Sequence, residues 1–132
     1  AASELKSFPV PVKIDEESSP GLGPGTGITV WARTEHSVLG ASALGEINLR
    51  AENVGAIAGR ELAAELKAGP SLDLHASDQI LPYLALGGGG AFTVRSISTH
   101  LETMMWLMTE MTGARSRIEK KYGLMRVATT PG

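Results

Sequence analysis

The sequence predicts an α/β sandwich, a mixed sheet with helices packed on one face, in the order β-β-α-α-β-α-β-β. Three observations carry this. Residues 28–33 alternate with a period of two, residues from Asn53 onward switch to a helical period, and strand-like and helix-like stretches then interleave. At 132 residues the chain is long enough for one domain with a real core and too short for two ordinary ones.

The first stretch, to about Gly27, is irregular. "FPVPVKIDEESSPGLGPGTG" holds four prolines and an acidic run at Asp15, Glu16 and Glu17, so it buries little apolar surface and favours extended or turn geometry. "VPVKI" within it suits a short edge strand. Such an opening is expected of a chain entering from something upstream. "GITVWART" follows as the first strand, with a turn at Thr34 to His36. "SVLGASALGE" is the second strand, antiparallel to it.

From Asn53, the residues Val54, Ile57, Leu62 and Leu66 fall near one helical face. Arg60, Glu61, Glu65 and Lys67 lie largely outside it. "AGP" at 68–70 ends that helix. A second helix spans Leu74 to Leu86, with a kink expected at Pro82. Gly87 to Gly90 break it and lead into the strand "AFTVRSI". The third helix covers His100 to Met111. Strands at 115–120 and 124–129 form a closing hairpin that turns at Lys121 to Gly123.

Composition excludes several function classes. Hydrophobic residues make up 42% and charged residues 20%, which describes a globular chain. No apolar run approaches the roughly 20 residues a membrane span needs, so no membrane partner is expected. "AASELKSF" lacks the basic flank and apolar stretch of a signal peptide. Without cysteine there is no disulfide framework, thiol nucleophile or thiolate metal site; a cytoplasmic location is the expectation. The net charge of −2 offers no electrostatic blanket for nucleic acid. Basic residues do gather at Arg115, Arg117, Lys120, Lys121 and Arg126, as a solvated hairpin face or as a local strip for phosphates.

In "RSISTHLETMMWLM", residues 95–108, a polar cluster stops abruptly at a methionine-rich helix. Thr99 as N-cap makes His100 the first helical residue and Glu102 the third, a T-x-x-E capping box. Met104, Met105, Met108 and Met111, with Leu101 and Leu107, then form the buried stripe. The positive end of a helix disfavours a second positive charge and offers N–H groups to a phosphate. A neutral imidazole nitrogen there is a nucleophile, or else a partly exposed histidine of no consequence. His75, Asp78 and Gln79 form a second polar cluster, His75 and Asp78 being neighbours on a helix. That pair suits a metal or a base only weakly, since no third ligand is evident. The alternatives are capping by Asp73 or Asp78, and hydrogen bonding of Asp78 and Gln79 to a ribose or base. "SSPGLGPGTG" lacks the Lys-Ser/Thr ending of a P-loop and is read as a turn. No G-x-S-x-G or H-E-x-x-H occurs.

Residues 73–108, "DLHASDQILPYLALGGGGAFTVRSISTHLETMMWLM", strongly resemble the C-terminal part of the RNA 3′-terminal phosphate cyclases. The resemblance lies in Asp78, Gln79, Pro82, Ala85 and Leu86, the glycine turn, Phe92, Thr93 and Val94, then His100, Leu101 and Thr103. "GPGTGITVWA" and "GASALGE" look like the archaeal and bacterial branch. The resemblance implies that His100 attacks the α-phosphorus of ATP and becomes adenylylated. AMP then passes to an RNA 3′-phosphate end, and the 2′-hydroxyl displaces it to close a 2′,3′-cyclic phosphate. It also implies nucleotide contacts from Asp78, Gln79, His75 and Thr103, and a divalent metal (Mg or Mn) with ligands outside this chain. Two departures are His75, where some members carry an aromatic residue, and Met104, where some carry a polar one.

Members of that family are more than twice this long, built from three repeated units and an inserted α/β domain. By that resemblance residues 1–27 are the remnant of the insert and 28–132 the C-terminal unit. The chain is then expected to self-associate or to meet an upstream cyclase half, and to turn over poorly alone. A non-catalytic RNA- or protein-interaction module derived from the same fold is the alternative. Enolpyruvyl transferases, built from the same unit, are a remoter one against which the His100 segment argues.

Overall fold

The computed structural model describes residues 1–9, 11–18, 23 and 25–132. After a short 3-10 turn at Ala2–Leu5 come β1 (Gly27–Arg33), β2 (Val38–Leu44), α1 (Ala51–Ala68), α2 (Leu74–Leu86), β3 (Gly90–Val94), α3 (Thr99–Thr112), β4 (Arg115–Lys121) and β5 (Leu124–Thr130). The element order is the expected one. Residues 11–14 of "VPVKI" form no strand, and Val10 and half of "SSPGLGPGTG" (residues 19–22 and 24) lie outside the described residues.

β1 and β2 pair as an antiparallel hairpin, Val30 opposite Ala41 and Ala32 opposite Leu39. Thr34 closes the turn, its N–H donating to the Ser37 carbonyl at 2.8 Å. The inward residues meet Leu62 and Leu66 of α1. The buried face of α1 runs through Val54, Gly55, Ala58, Gly59, Leu62 and Glu65. Two expectations therefore fail: Ile57 is exposed, and Glu65 points inward with 1% of its surface accessible. Small residues at 55, 58 and 59 let neighbours approach closely, which turns the helix toward them and away from Ile57. Gly69 ends α1 in the left-handed region (φ 65°), its N–H returning to the Glu65 carbonyl.

β3, β5 and β4 form the second sheet, in that order, all antiparallel. Phe92, Val127 and Ile118 lie in register across it, and so do Val94, Met125 and Lys120. Phe92, Val94 and Val127 join Leu81, Ala85, Leu101, Met108 and Ala114 in the main core. The β4–β5 turn is made by Tyr122 and Gly123, both at positive φ (50° and 81°), the pairing that a tight hairpin's twist requires. α2 runs through Pro82 as one helix. Met111 is 70% exposed and drops out of the expected stripe, because α3 is closed two residues later by Gly113.

The α/β class holds, but one mixed sheet does not form. Two separate antiparallel sheets stand in its place, bridged by residues 71–73. Ser71 and Leu72 bond to Thr93 of β3, while the Asp73 carboxylate accepts from the Gly40 N–H of β2 at 2.8 Å. This connection cannot become a strand. Pro70 has no N–H to give, and Ser71 and Asp73 commit their side chains to neighbouring backbone.

Candidate functional site

α2 starts at Asp73. Its Oδ1 accepts from the His75 and Ala76 N–H groups at 3.0 and 2.8 Å, so Asp73, not Asp78, is the N-cap. For α3 the cap is Ser98 rather than Thr99. Ser98 is extended (φ −89°, ψ 156°) and its Oγ accepts from the Leu101 N–H at 3.1 Å. His100 is thus the second helical residue, and Glu102 lies one place too far along for a capping box. The earlier start sets Leu101 fully into the core with Met108 one face below it.

The two helices run side by side in the same direction. Ser71 and Leu72, just before α2, are bonded to Thr93 near the end of β3, and α3 begins five residues after Val94. At the opposite end, both glycine closures meet the chain's last residues: Gly89 lies against Thr129 to Pro131 and Gly113 against Gly132. The positive ends of two packed helices therefore share one end of the unit. His75 and Asp78 stand in the first turns of one, His100 and Thr103 in those of the other.

His100 is exposed, and its ring has no hydrogen-bond or ionic partner among the described residues. Thr103, three residues on and also exposed, donates its hydroxyl back to the Thr99 carbonyl at 2.8 Å. His75 and Gln79 lie on the exposed stripe of α2 that continues to Tyr83. Asp78 is half-buried, and its Oδ1 is sealed from water with no donor among the described residues. Pro82, four residues later, also denies the Asp78 carbonyl its usual helical donor. His75 and Asp78 are neighbours on the helix but share no hydrogen bond. The candidate residues gather at one end, on an open surface. A groove of about 610 Å³ lies elsewhere, along β1 beside Phe8, Val12 and Trp31. Among the described residues no three His, Asp or Glu side chains converge as metal ligands would, so the described residues do not by themselves fit a metal.

One polar cluster went unread in the sequence. Arg95, between β3 and α3, is gripped by two carboxylates a turn apart on α1: Glu61 on its terminal nitrogen and Glu65 on Nε at 3.3 Å. Glu65 Oε2 is buried with no donor among the described residues. Burial pushes the Glu65 carboxyl above its ordinary range, Arg95 pulls the other way, and Glu61 and Asp73 add to the upward push. The only signal available was a Glu pair at i and i+4; its partner sits 30 residues away.

Residues 1–67 match the insert domain of RNA 3′-terminal phosphate cyclase. Nearly the whole chain aligns with curated proteins named RNA 3′-terminal phosphate cyclase. The one from Methanosarcina barkeri is 39% identical over 98% of this chain. The one from Nitrosospira multiformis is 40% identical over 99%, and that of Pyrococcus abyssi 43% over 93%. The chain belongs to the RNA 3′-terminal phosphate cyclase family. It spans 36–38% of the length of those three relatives. The cyclase insert match takes in β1, β2 and nearly all of α1, running past the compositional boundary at residue 27. Glu61 and Glu65 fall inside it; Arg95 and His100 fall beyond it.

Proposed function

We propose that this chain supplies the histidine-bearing part of an ATP-dependent RNA 3′-terminal phosphate cyclase. A neutral His100 nitrogen attacks the α-phosphorus of ATP, forming an N–P bond as the bond to pyrophosphate breaks. An oxygen of the RNA 3′-phosphate then displaces the imidazole and takes the AMP. The adjacent 2′-hydroxyl attacks the 3′-phosphorus, loses its proton and expels AMP, closing the 2′,3′-cyclic phosphate. Asp78, Gln79, His75 and Thr103 are assigned to the nucleotide.

The observation that carries this reading is the placement of His100. Its ring is exposed, and without a partner among the described residues, in the first turn of a helix, at the end where a second helix also presents its positive pole. Phosphates are favoured there by backbone N–H groups and by the dipoles. Family membership supplies the chemistry. Because the chain spans little more than a third of its relatives, a further polypeptide is assigned the rest of the site, including any metal ligands.

The test is incubation with ATP labelled at the α-phosphate, with magnesium or manganese, followed by a denaturing gel. The chain is run alone and with a polypeptide covering the remaining length of the Methanosarcina barkeri relative. An acid-labile labelled band, absent in His100→Ala, is expected at least with the added polypeptide. No label under either condition sinks the enzymatic reading. It would favour an interaction module, for which Arg115, Arg117 and Lys121 line one side of β4 by strand alternation.

A further inference from the structure

The residues that fix His100 extend beyond the helix that carries it. Thr93 is tied by Ser71, and Ser98 caps α3, leaving residues 94–97 to set where the helix begins. Within that span Arg95 reaches α1, where it is held by two carboxylates at once. A planar guanidinium bound at two nitrogens by groups one helical turn apart is fixed in both position and rotation. Glu65 is fully buried, so its side of the grip is shielded from water and salt, while Arg95 and Glu61 stay partly exposed. It is also costly: one Glu65 carboxylate oxygen has no donor among the described residues, and Glu61 and Asp73 add negative charge nearby. Apolar side chains in place of a buried ion pair are often neutral or stabilising, so fold stability alone does not call for this one. What the ionic grip supplies instead is a defined geometry three residues ahead of the cap.

We propose that Glu61 and Glu65 of α1 act through Arg95 as positioning residues for the first turn of α3, and so for His100. The part of the chain that matches the insert domain would then hold the nucleophile's helix in place. The link to chemistry rests on His100 being the nucleophile proposed above; the mechanical link does not.

Amide hydrogen exchange and ring resonances of His100, both by NMR on the full chain, test the proposal in Arg95→Gln, Arg95→Lys and Glu61→Gln. The amides of Leu101 and Glu102, which bond to Ser98, report the first turn; those of Met108 and Thr109 report the rest. In Arg95→Gln the first-turn amides should exchange about tenfold faster, as expected for loss of a charged hydrogen-bonded pair. The Met108 and Thr109 amides should hold, and the His100 ring resonances should move. Arg95→Lys, which keeps the charge but not the fork, should recover part of the protection. Glu61→Gln, a half-exposed position that threatens no core, should give the same pattern at about two- to threefold.

Exchange that rises evenly along the chain, or first-turn amides and His100 resonances that stay put in Glu61→Gln and Arg95→Gln, would overturn the proposal. AMP transfer is measured in parallel. Label taken up at equal rates by wild type and by an Arg95→Gln variant with a loosened first turn would break the link to catalysis. Absence of label in wild type would count against the nucleophile reading alone, since the exchange result stands separately.

Discussion

The two sheets of this molecule are held by different forces. The unit formed by α2, β3, α3, β4 and β5 buries Leu81, Phe92, Val94, Leu101, Met108 and Val127 in a continuous core. The unit formed by β1, β2 and α1 buries only Leu39, Ala41 and Leu62 as a comparable cluster. Between them the ties are polar: Asp73 to Gly40, and Arg95 to Glu61 and Glu65. An apolar core tolerates small shifts, since contact there has no direction. A partly buried ionic junction does not, because its hydrogen bonds are directional. The smaller unit therefore depends on the larger one through a few oriented bonds, and those bonds lie beside the helix that carries His100.

Substitutions sharpen that contrast. Leu81→Ala, in the larger core, should cost about 2–5 kcal/mol and lower the urea midpoint of the whole chain. Asp73→Ala removes both the α2 cap and the bond to Gly40, an expected loss of about 2 kcal/mol. Unlike Leu81→Ala, it should also split the transition, with β1 and β2 losing structure first. Coincident curves from Trp31 and Trp106 fluorescence in that variant would contradict a polar junction.

Glu65 gives a pH signature. Its carboxyl is raised from 4.5 in the native chain, so the native state keeps a proton that the unfolded state has released. The stability this contributes is complete below the ordinary carboxylate value and is lost as pH rises through the native one. Glu65→Gln should flatten the fall in stability over that interval, read from denaturant midpoints at a series of pH values. An unchanged slope would mean Glu65 does not titrate as its burial dictates. Lys13→Ala marks the lower bound. It breaks a pair with Asp15 whose side chains are 84% and 78% exposed, and should shift stability by less than about 0.5 kcal/mol.

Much of the fold was legible because its signals are local. The alternation of 28–33, the glycine stop after Ala68 and the Tyr122–Gly123 turn each declare themselves within a few residues. What escaped depends on distance. Thr99 and Ser98 are equally good caps by type, and only the depth of Leu101 in the core chooses between them. Glu65 read as a solvent-facing charge because Arg95, its partner, is remote in the chain. The division into two sheets follows from Ser71 and Asp73 spending their side chains on Thr93 and Gly40, which no periodicity records. At the candidate site the residue types and the helix ends were readable, whereas the shared direction of α2 and α3 emerged only with β3 between them.

Peptide mapping by mass spectrometry, after incubation with ATP and a divalent cation and with the remaining length of a cyclase relative added, locates the residue that carries AMP. A single AMP adduct is expected on the peptide containing His100, with fragment ions that place it on the imidazole, and its loss in His100→Ala. An adduct on another residue, or none while the mixture still cyclises RNA ends, would contradict it.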